Sequence, residues 1–534
     1  MTVDETTQLT IKEASQWVKS HFNKNVSPSS ISYLVQYGQI RKINGNGELR
    51  VLKEDLHNYY AQQNMKESDW KKLFGDDLNW HLSFDKVKES ERTKHVHRLH
   101  PYKGKFIPQL VDYFLNEKTD EYKTEVFFRK GDIVLDPFCG SGTTLVQANE
   151  LGLHAIGIDI SEFNALISNV KVRQHDLVNL YKEIAKISKA LVAFNADNEW
   201  NHFDIELLNE LSKFNQQHFP NPDYVYSVRN GKIDQAEHSI EKEKEFLGIF
   251  ENLLKKYNLH TYFNHTPSTF LDKWYLDPVR NEIDFVMSQM DRIEDSDTKE
   301  VIKVILSRTI RSCRATTHAD LATLINPVTT TYYCQKHYKI CKPLFSISKW
   351  WDYYSKDTIK RFRDFNKIRS QTNQICLTSD SRLTNIVEEL EKYSLDFSRL
   401  IKTKKINGIF SSPPYVGMID YHEQHAYAYE LFDLERRDEK EIGPLFKGKG
   451  MEAKISYITG ISDVLNNCKK YLVQDYSVFL VANDNYNLYP EIAKKTGMKI
   501  IEEFKRPVLN RTEKDKSAYS EKIFHMKDEK NGAN

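Results

Sequence analysis

Cysteine is scarce in this chain of 534 residues: there are six, widely scattered. A disulfide-stapled scaffold is excluded on that count, and a reducing compartment, the cytoplasm, is the expected setting. Long apolar runs are missing, so no membrane span or membrane partner is expected. The opening stretch MTVDETTQLT has neither a basic start nor an apolar segment, so no export signal is expected either. An excess of charge is also lacking, since 76 Lys and Arg face 75 Asp and Glu. This balance neither requires nor excludes a nucleic-acid partner, because acidic surface elsewhere can offset a basic face. Aromatics are plentiful, with 29 Tyr and 28 Phe, which suits cores and base stacking alike. The length calls for more than one hydrophobic core.

Residues 1–64 read as a small unit. LTIKEASQWVKSHFN carries an N-cap at Thr10 and apolar residues at helical spacing, and Ser27-Pro28 opens a second helix closed by Gly38. Two Asn-Gly pairs in RKINGNGELRV suit a tight hairpin, and KEDLHNYYAQQ reads as a further helix. Helix, turn, helix, basic hairpin and helix together resemble the winged helix-turn-helix of excisionase-like DNA-binding domains. The resemblance implies that Ser29, Ser30, Ser32 and Tyr33 face the major groove of double-stranded DNA. It also implies that Arg41, Lys42 and Arg50 approach phosphates. A small helical interaction module is the plainer alternative. Residues 65–92, polar and charged, read as a linker.

A β/α pattern then begins. KGDIVLDPFCGSGTTLVQANELGLHAIGIDIS reads as strand, glycine turn, helix and strand. Pro137 ends the first strand after Asp136, and Gly140 and Gly142 permit a tight turn and close approach to a ligand. No lysine follows these glycines, so a phosphate-binding P-loop is excluded. Asp159 ends the next strand, where a carboxylate can accept from ribose hydroxyls. The pattern resumes with NQICLTSDSR, KINGIFSSPPY, YSVFLVANDN and MKIIEEFKRPVLNRT…YSEKIFHMK. Each is a short apolar run closed by polar or turn residues, and SSPPY must stop its strand because proline cannot donate to a ladder.

DPFCGSGTT, SPPY and the upstream HPYKGKFIPQL, in this order, resemble the DNA amino-methyltransferases, which methylate exocyclic nitrogens using S-adenosylmethionine. The resemblance spans about 95–165 and 372–527. It implies an α/β, Rossmann-like methyltransferase core with a mixed, mostly parallel sheet and helices on both faces. Tyr102, Lys105, Phe106, Asp136, Pro137, Phe138, Gly140, Gly142 and Thr143 are then expected at the cofactor, with Asp159 on the ribose and Asp380 near the adenine. For Asp380 a helix N-cap is the competing reading.

An exocyclic amine is a poor nucleophile because its lone pair is delocalised into the ring. On the resemblance, the Ser412 hydroxyl and the Pro413 carbonyl accept from the amine hydrogens, with the loop stiffened by Pro413-Pro414. Tyr415 offers a face to an extruded base. Methylation at carbon 5 of cytosine needs a thiolate, usually in a Pro-Cys pair, and no such pair occurs. In the family, serine at the position of Ser412 goes with cytosine N4, and aspartate or asparagine with adenine N6. Cytosine N4 is therefore expected, in a restriction-modification or related defence setting with a restriction endonuclease as the implied partner. Adenine N6, an RNA methyltransferase and an inactive DNA-binding regulator are the alternatives. Tyr421 and His422 are further base-pocket candidates.

The methyltransferase core is thus placed in two stretches, 93–170 for the cofactor and 371–534 for the SPPY loop. Between them lies a mostly helical target-recognition insertion at 171–370, too long for a loop. Within it, SISKWWDYYSKDTIKRFRDFNKIR interleaves aromatics with basic residues, and Trp350, Lys360 and Arg361 are expected to touch DNA. An amphipathic core helix fits the same pattern. CQKHYKIC brings Cys334, His337 and Cys341 together, with Cys313 upstream. The spacing matches no closed zinc pattern, so buried free thiols and no metal are expected.

Overall fold

A computed structural model of the chain describes residues 7–45, 48–74, 78–84, 86–102, 104–261, 268–321, 324–508 and 519–529. A seven-stranded sheet organises the larger part. Its strands are β1 (Ile133–Asp136), β2 (His154–Asp159), β3 (Gln374–Thr378), β4 (Ile406–Ser411), β5 (Leu472–Ala482), β6 (Met498–Pro507) and β7 (Ser520–Asp528). The spatial order is 6-7-5-4-1-2-3. β3, β2, β1, β4 and β5 run parallel, whereas β7 lies antiparallel between β5 and β6.

Both faces of this sheet are covered, so its central strands are mostly apolar, with successive side chains feeding opposite layers. Val134 and Phe410 enter one core with Phe114, Phe163 and Phe479. Leu135 and Ile409 enter the other with Leu465, Leu480 and Phe524. Strand order reverses between β1 and β4, and a crevice opens at the carboxyl ends of the strands there, the usual ligand position in open α/β sheets.

The N-terminal unit has helices Ile11–Phe22 and Pro28–Gln36 and a three-stranded antiparallel sheet of Gln8–Thr10, Glu48–Leu52 and Ile43–Gly45. Thr10 caps the first helix in a reciprocal box with Glu13. Of the two Asn-Gly pairs, Asn44-Gly45 lies in a strand, and 46–47 fall outside the described residues. Gly38 sits at φ +61, and a Cβ there would be 2.8 Å from the Tyr226 nitrogen. The turn therefore docks against the helix Asp223–Arg229.

Two expected boundaries shift. The supposed linker 65–92 begins as helix, because Lys53–Phe74 is continuous; NMKESDWKKLF holds good helix formers and no breaker. Its later portion clips onto the sheet edge, where Asn79 exchanges hydrogen bonds with Lys505 and Arg506 donates to the Leu82 carbonyl. The insertion, in turn, is divided. Helices Leu177–Phe194, Asp277–Met290, Ser296–Ser312 and Ser348–Asn366 join the core of the sheet, through residues such as Leu180, Ile283, Ile305 and Trp351. A separate core built on Phe203, Phe214, Tyr224, Phe246 and Phe250 holds helices Glu199–His218, Asp223–Arg229 and Gln235–Tyr257 as an outlying lobe. A two-stranded hairpin of Tyr332–Cys334 and Lys339–Cys341 rests on it, with Asn215 bonded to both the amide and the carbonyl of Ile340.

Candidate active site

At the order reversal lies a cavity open to solvent, the usual setting of a small-molecule site. The glycine turn, the end of β2, the TSDS loop after β3 and the SPPY loop after β4 all contribute to its wall. Of the expected cofactor residues, Tyr102, Lys105, Phe106, Pro137, Phe138, Gly140, Thr143, Asp159 and Asp380 line it. Ser412 and Pro414 line the same space.

Backbone geometry explains the glycine positions. Gly140 has φ +52, and a Cβ on it would lie 3.0 Å from the Tyr102 hydroxyl. Gly142, at φ +74 against Ser168, starts the buried helix Thr143–Glu150 instead of facing the cavity. Asp136 is also behind the wall. It accepts from Phe138 N–H at 3.2 Å and from the Ser411 hydroxyl at 2.5 Å, which ties the glycine turn to the SPPY loop. Burial raises its carboxyl to about 6.

Asp159 is held from three sides. It accepts from the amides of Gly140 at 2.7 Å and Ser161 at 2.9 Å, and from Asn164 Nδ2 at 3.1 Å. Burial raises this carboxyl too, to about 6, against those stabilising hydrogen bonds. The Asp380 carboxylate is committed to Arg382, at 2.6 Å from Nη2, and caps no helix; Asn385 caps the one that follows. Burial acts to raise Asp380, but the hydrogen bonds and charge of Arg382 hold it below its ordinary value. Lys105 contributes its stem, since its amine donates to the His97 carbonyl at 2.8 Å and burial lowers it to about 8.

Pro413 is buried and, like Tyr415, absent from this wall. The Tyr415 hydroxyl donates to Glu521 at 3.2 Å, and the residue lines a second cleft with Asn483, Asp484 and Tyr486. Tyr421 does line the cavity, but His422 lies behind it and contacts Glu441. Glu441 is itself a wall residue that accepts from the amides of Tyr421 and His422. It has no local sequence signature. Ser411 was within reach, as the first of the two serines of SSPPY, and so was Asn164, in the first turn of the helix after Asp159.

Ser29, Ser30 and Tyr33 are exposed along the helix Pro28–Gln36, with Ser32 half-buried. Lys42 and Arg50 are half-buried, and Arg41 pairs with Asp55 at 3.4 Å and sits over the Tyr226 ring. In the insertion, Arg361, expected at DNA, has partners within the chain. Its guanidinium binds Asp357 at 2.7 Å and donates to the carbonyls of Thr93 and His95. The helix Ser348–Asn366 buries Trp351, Ile359, Phe362 and Phe365 in the sheet's core, which leaves Arg361 as a tether between segments. Trp350 is half-buried and stacked on Tyr354, whereas Lys360 is exposed. Among the described residues no helix is long and apolar enough to cross a membrane.

A glycine turn and a Ser-Pro-Pro loop converging on one cavity at a strand-order reversal define a nucleotide-cofactor transferase. The family model for N6/N4 methylases, described as DNA methylase, matches residues 4–169. The chain is 45% identical over 524 residues to the type II methyltransferase M.MjaII of Methanocaldococcus jannaschii, covering 97% of this chain and 96% of that one. It is 32% identical to the type II methyltransferase M.BsoBI of Geobacillus stearothermophilus over 122 residues, 22% of each chain. A tRNA (guanine(10)-N2)-dimethyltransferase of M. jannaschii is 26% identical over 202 residues, 36% of this chain and 46% of that one. No solved structure matches. The chain belongs to the N6/N4 family of DNA methyltransferases, of type II.

S-adenosylmethionine is the cofactor expected in this family, and the cavity fits it. Two buried polar atoms in wall residues, Ser141 Oγ and Asn164 Oδ1, lack hydrogen-bond partners among the described residues. Carboxylates of Asp159 and Glu441 in the same wall suit a ligand that carries positive charge.

Proposed function

We propose that the protein methylates the exocyclic N4 of cytosine in double-stranded DNA within a type II restriction-modification system. The observation that carries this reading is that Ser412 and Pro414 share one cavity with Gly140 and Asp159. A methyl donor held by the glycine turn and Asp159 would then face the loop that receives the amine. Bound there, S-adenosylmethionine supplies an electrophilic methyl group on a positively charged sulfur.

The chain's own role is positioning. The Ser412 hydroxyl and Pro413 carbonyl accept from the amine, which draws the nitrogen towards tetrahedral geometry and aims its lone pair. Asp136, through Ser411, fixes that loop relative to the glycine turn. The cleft beside Tyr415 suits the flat face of an extruded base, with Asn483 and Asp484 as polar partners for its edge. Ser29, Ser30 and Tyr33 are then major-groove contacts, with Lys42 and Arg50 towards phosphate. A residue of the serine type at 412 favours cytosine N4 over adenine N6. Similarity along nearly the whole chain to a type II methyltransferase favours DNA over RNA, since the tRNA enzyme matches a much shorter stretch.

Expression in a host devoid of DNA methylation, followed by sequencing for modified bases, tests the reading. N4-methylcytosine at a defined sequence is expected. N6-methyladenine would overturn the choice of base, and unmodified DNA alongside methylated RNA would overturn the choice of polymer.

A further inference from the structure

The six cysteines fall into two environments. Cys139, Cys313 and Cys376 are packed in the core on one face of the sheet, and Cys468 in the core on the other. Cys334 and Cys341 sit apart, in a small apolar cluster with Tyr332 and Val328. They also have imidazoles beside them. Cys334 Sγ lies 3.7 Å from His318 Nδ1, and Cys341 Sγ lies 3.7 Å from His337 Nδ1. One donor atom from each of the four residues falls within 4.8 Å of all the others.

From these observations we infer that His318, Cys334, His337 and Cys341 form a structural zinc site. A tetrahedral zinc with two sulfur and two nitrogen ligands places its donor atoms about 3.3–3.8 Å apart. The four residues need only a small contraction to reach that geometry. Two thiolates and two imidazoles select zinc over the harder divalent ions.

Local structure brings the ligands together. Antiparallel register sets Tyr332 opposite Cys341 and Cys334 opposite Lys339, so Cys334 and Cys341 share a face of the hairpin. The turn closes with the amides of His337 and Tyr338 both donating to the Cys334 carbonyl, and Tyr338 takes φ +52. His337 is thereby folded back over the thiols. The fourth ligand comes from the loop after the helix Ser296–Ser312, sixteen residues before Cys334, a spacing that hides it in the sequence. Tyr332 anchors it, with its hydroxyl accepting from the His318 amide at 3.2 Å and lying 2.8 Å from Nδ1.

One face of the hairpin is held by Ile340 in the lobe's core, but the face that carries Cys334 and Cys341 has only a small apolar cluster, on strands of three residues each. Zinc would tie that face together and pin the loop bearing His318 to it. Free thiols are the expectation only while ligands are sought close in sequence, and Cys313, the nearest upstream thiol, is buried in the sheet's core instead.

The test is metal analysis of the full chain, purified without chelator from zinc-sufficient medium. One equivalent of zinc is expected, with loss of it in Cys334→Ser and in Cys341→Ser. Should those variants fold poorly, cobalt exchange into the wild-type chain provides a second measurement, with a thiolate-to-cobalt charge-transfer band and tetrahedral visible absorption expected. A chain that takes up no zinc or cobalt, a disulfide between Cys334 and Cys341, or full zinc content in the Cys334→Ser/Cys341→Ser double variant would overturn the inference.

Discussion

The cavity at the strand reversal and the outlying lobe of the insertion are built on opposite plans. The cavity is deep, its carboxylates are held by backbone amides, and its walls are shared with the two large cores. The lobe carries a small core of its own, and it reaches outward to the N-terminal unit through Gly38 and Tyr226. Walls shared with large cores hold the cavity rigid, whereas a lobe with a core of its own is separable from it. The contrast teaches that the insertion is less independent than its length suggests, because four of its helices belong to the core of the sheet.

The largest expected effect lies in the cavity. Ser412→Ala should lower the transfer rate at least about 10²-fold and leave cofactor affinity within about twofold. Single-turnover kinetics with calorimetric titration of the cofactor would check this, and an unchanged rate would dissolve the special status of the loop. Next, Trp351→Ala and Phe214→Ala should each cost about 3–5 kcal/mol where they are buried. The consequences should differ in reach. Hydrogen exchange should find the first variant destabilised through the sheet and poor at binding cofactor. In the second, opening should be confined to the helices of the lobe, with cofactor binding retained. Equal spread in both would erase the boundary between the regions.

Acid should separate binding from stability. Asp136 and Asp159 both titrate near 6 when buried, above the ordinary aspartate value. Such groups favour the folded chain at low pH, and that contribution fades as pH rises through about 6. With ionised Asp159 as the proposed acceptor for the cofactor, affinity should fall up to about tenfold per unit below pH 6. Melting curves with and without S-adenosylmethionine should therefore converge on acidification, and Asp159→Asn should flatten the pH dependence. The smallest effect is expected at Gly38. Gly38→Val places a branched side chain against the backbone of Tyr226 and should weaken DNA binding a few-fold, with cofactor binding unaltered.

Much of the catalytic body was legible because its signals are local. Pro137, Gly140 and Gly142 announce a turn wherever they occur, and a hydrophobic run ended by Ser-Pro-Pro announces the end of a strand. What escaped depends on long-range packing. Glu441 enters the cavity wall from a segment without a motif, and Tyr415 leaves it because its hydroxyl finds Glu521 on another strand. The basic, aromatic stretch around Arg361 looked like a nucleic-acid surface. Only tertiary contacts reveal that Trp351 and Phe362 face a core and that Arg361 serves the carbonyls of Thr93 and His95. The helix 53–74 overran its expected end because nothing in its sequence stops it.

The hydrogen bond from Ser411 to Asp136 joins residues 275 positions apart, on strands that are neighbours in the middle of the sheet. During synthesis the glycine turn leaves the ribosome with one flank of its strand bare, and the partner that covers it emerges only after the entire insertion has been made. The nascent chain thus has ample time to organise its lobe and N-terminal unit before it possesses a working centre. Chains truncated between residues 160 and 405 would display an unpaired strand edge, the kind of surface that quality-control proteases and chaperones seize.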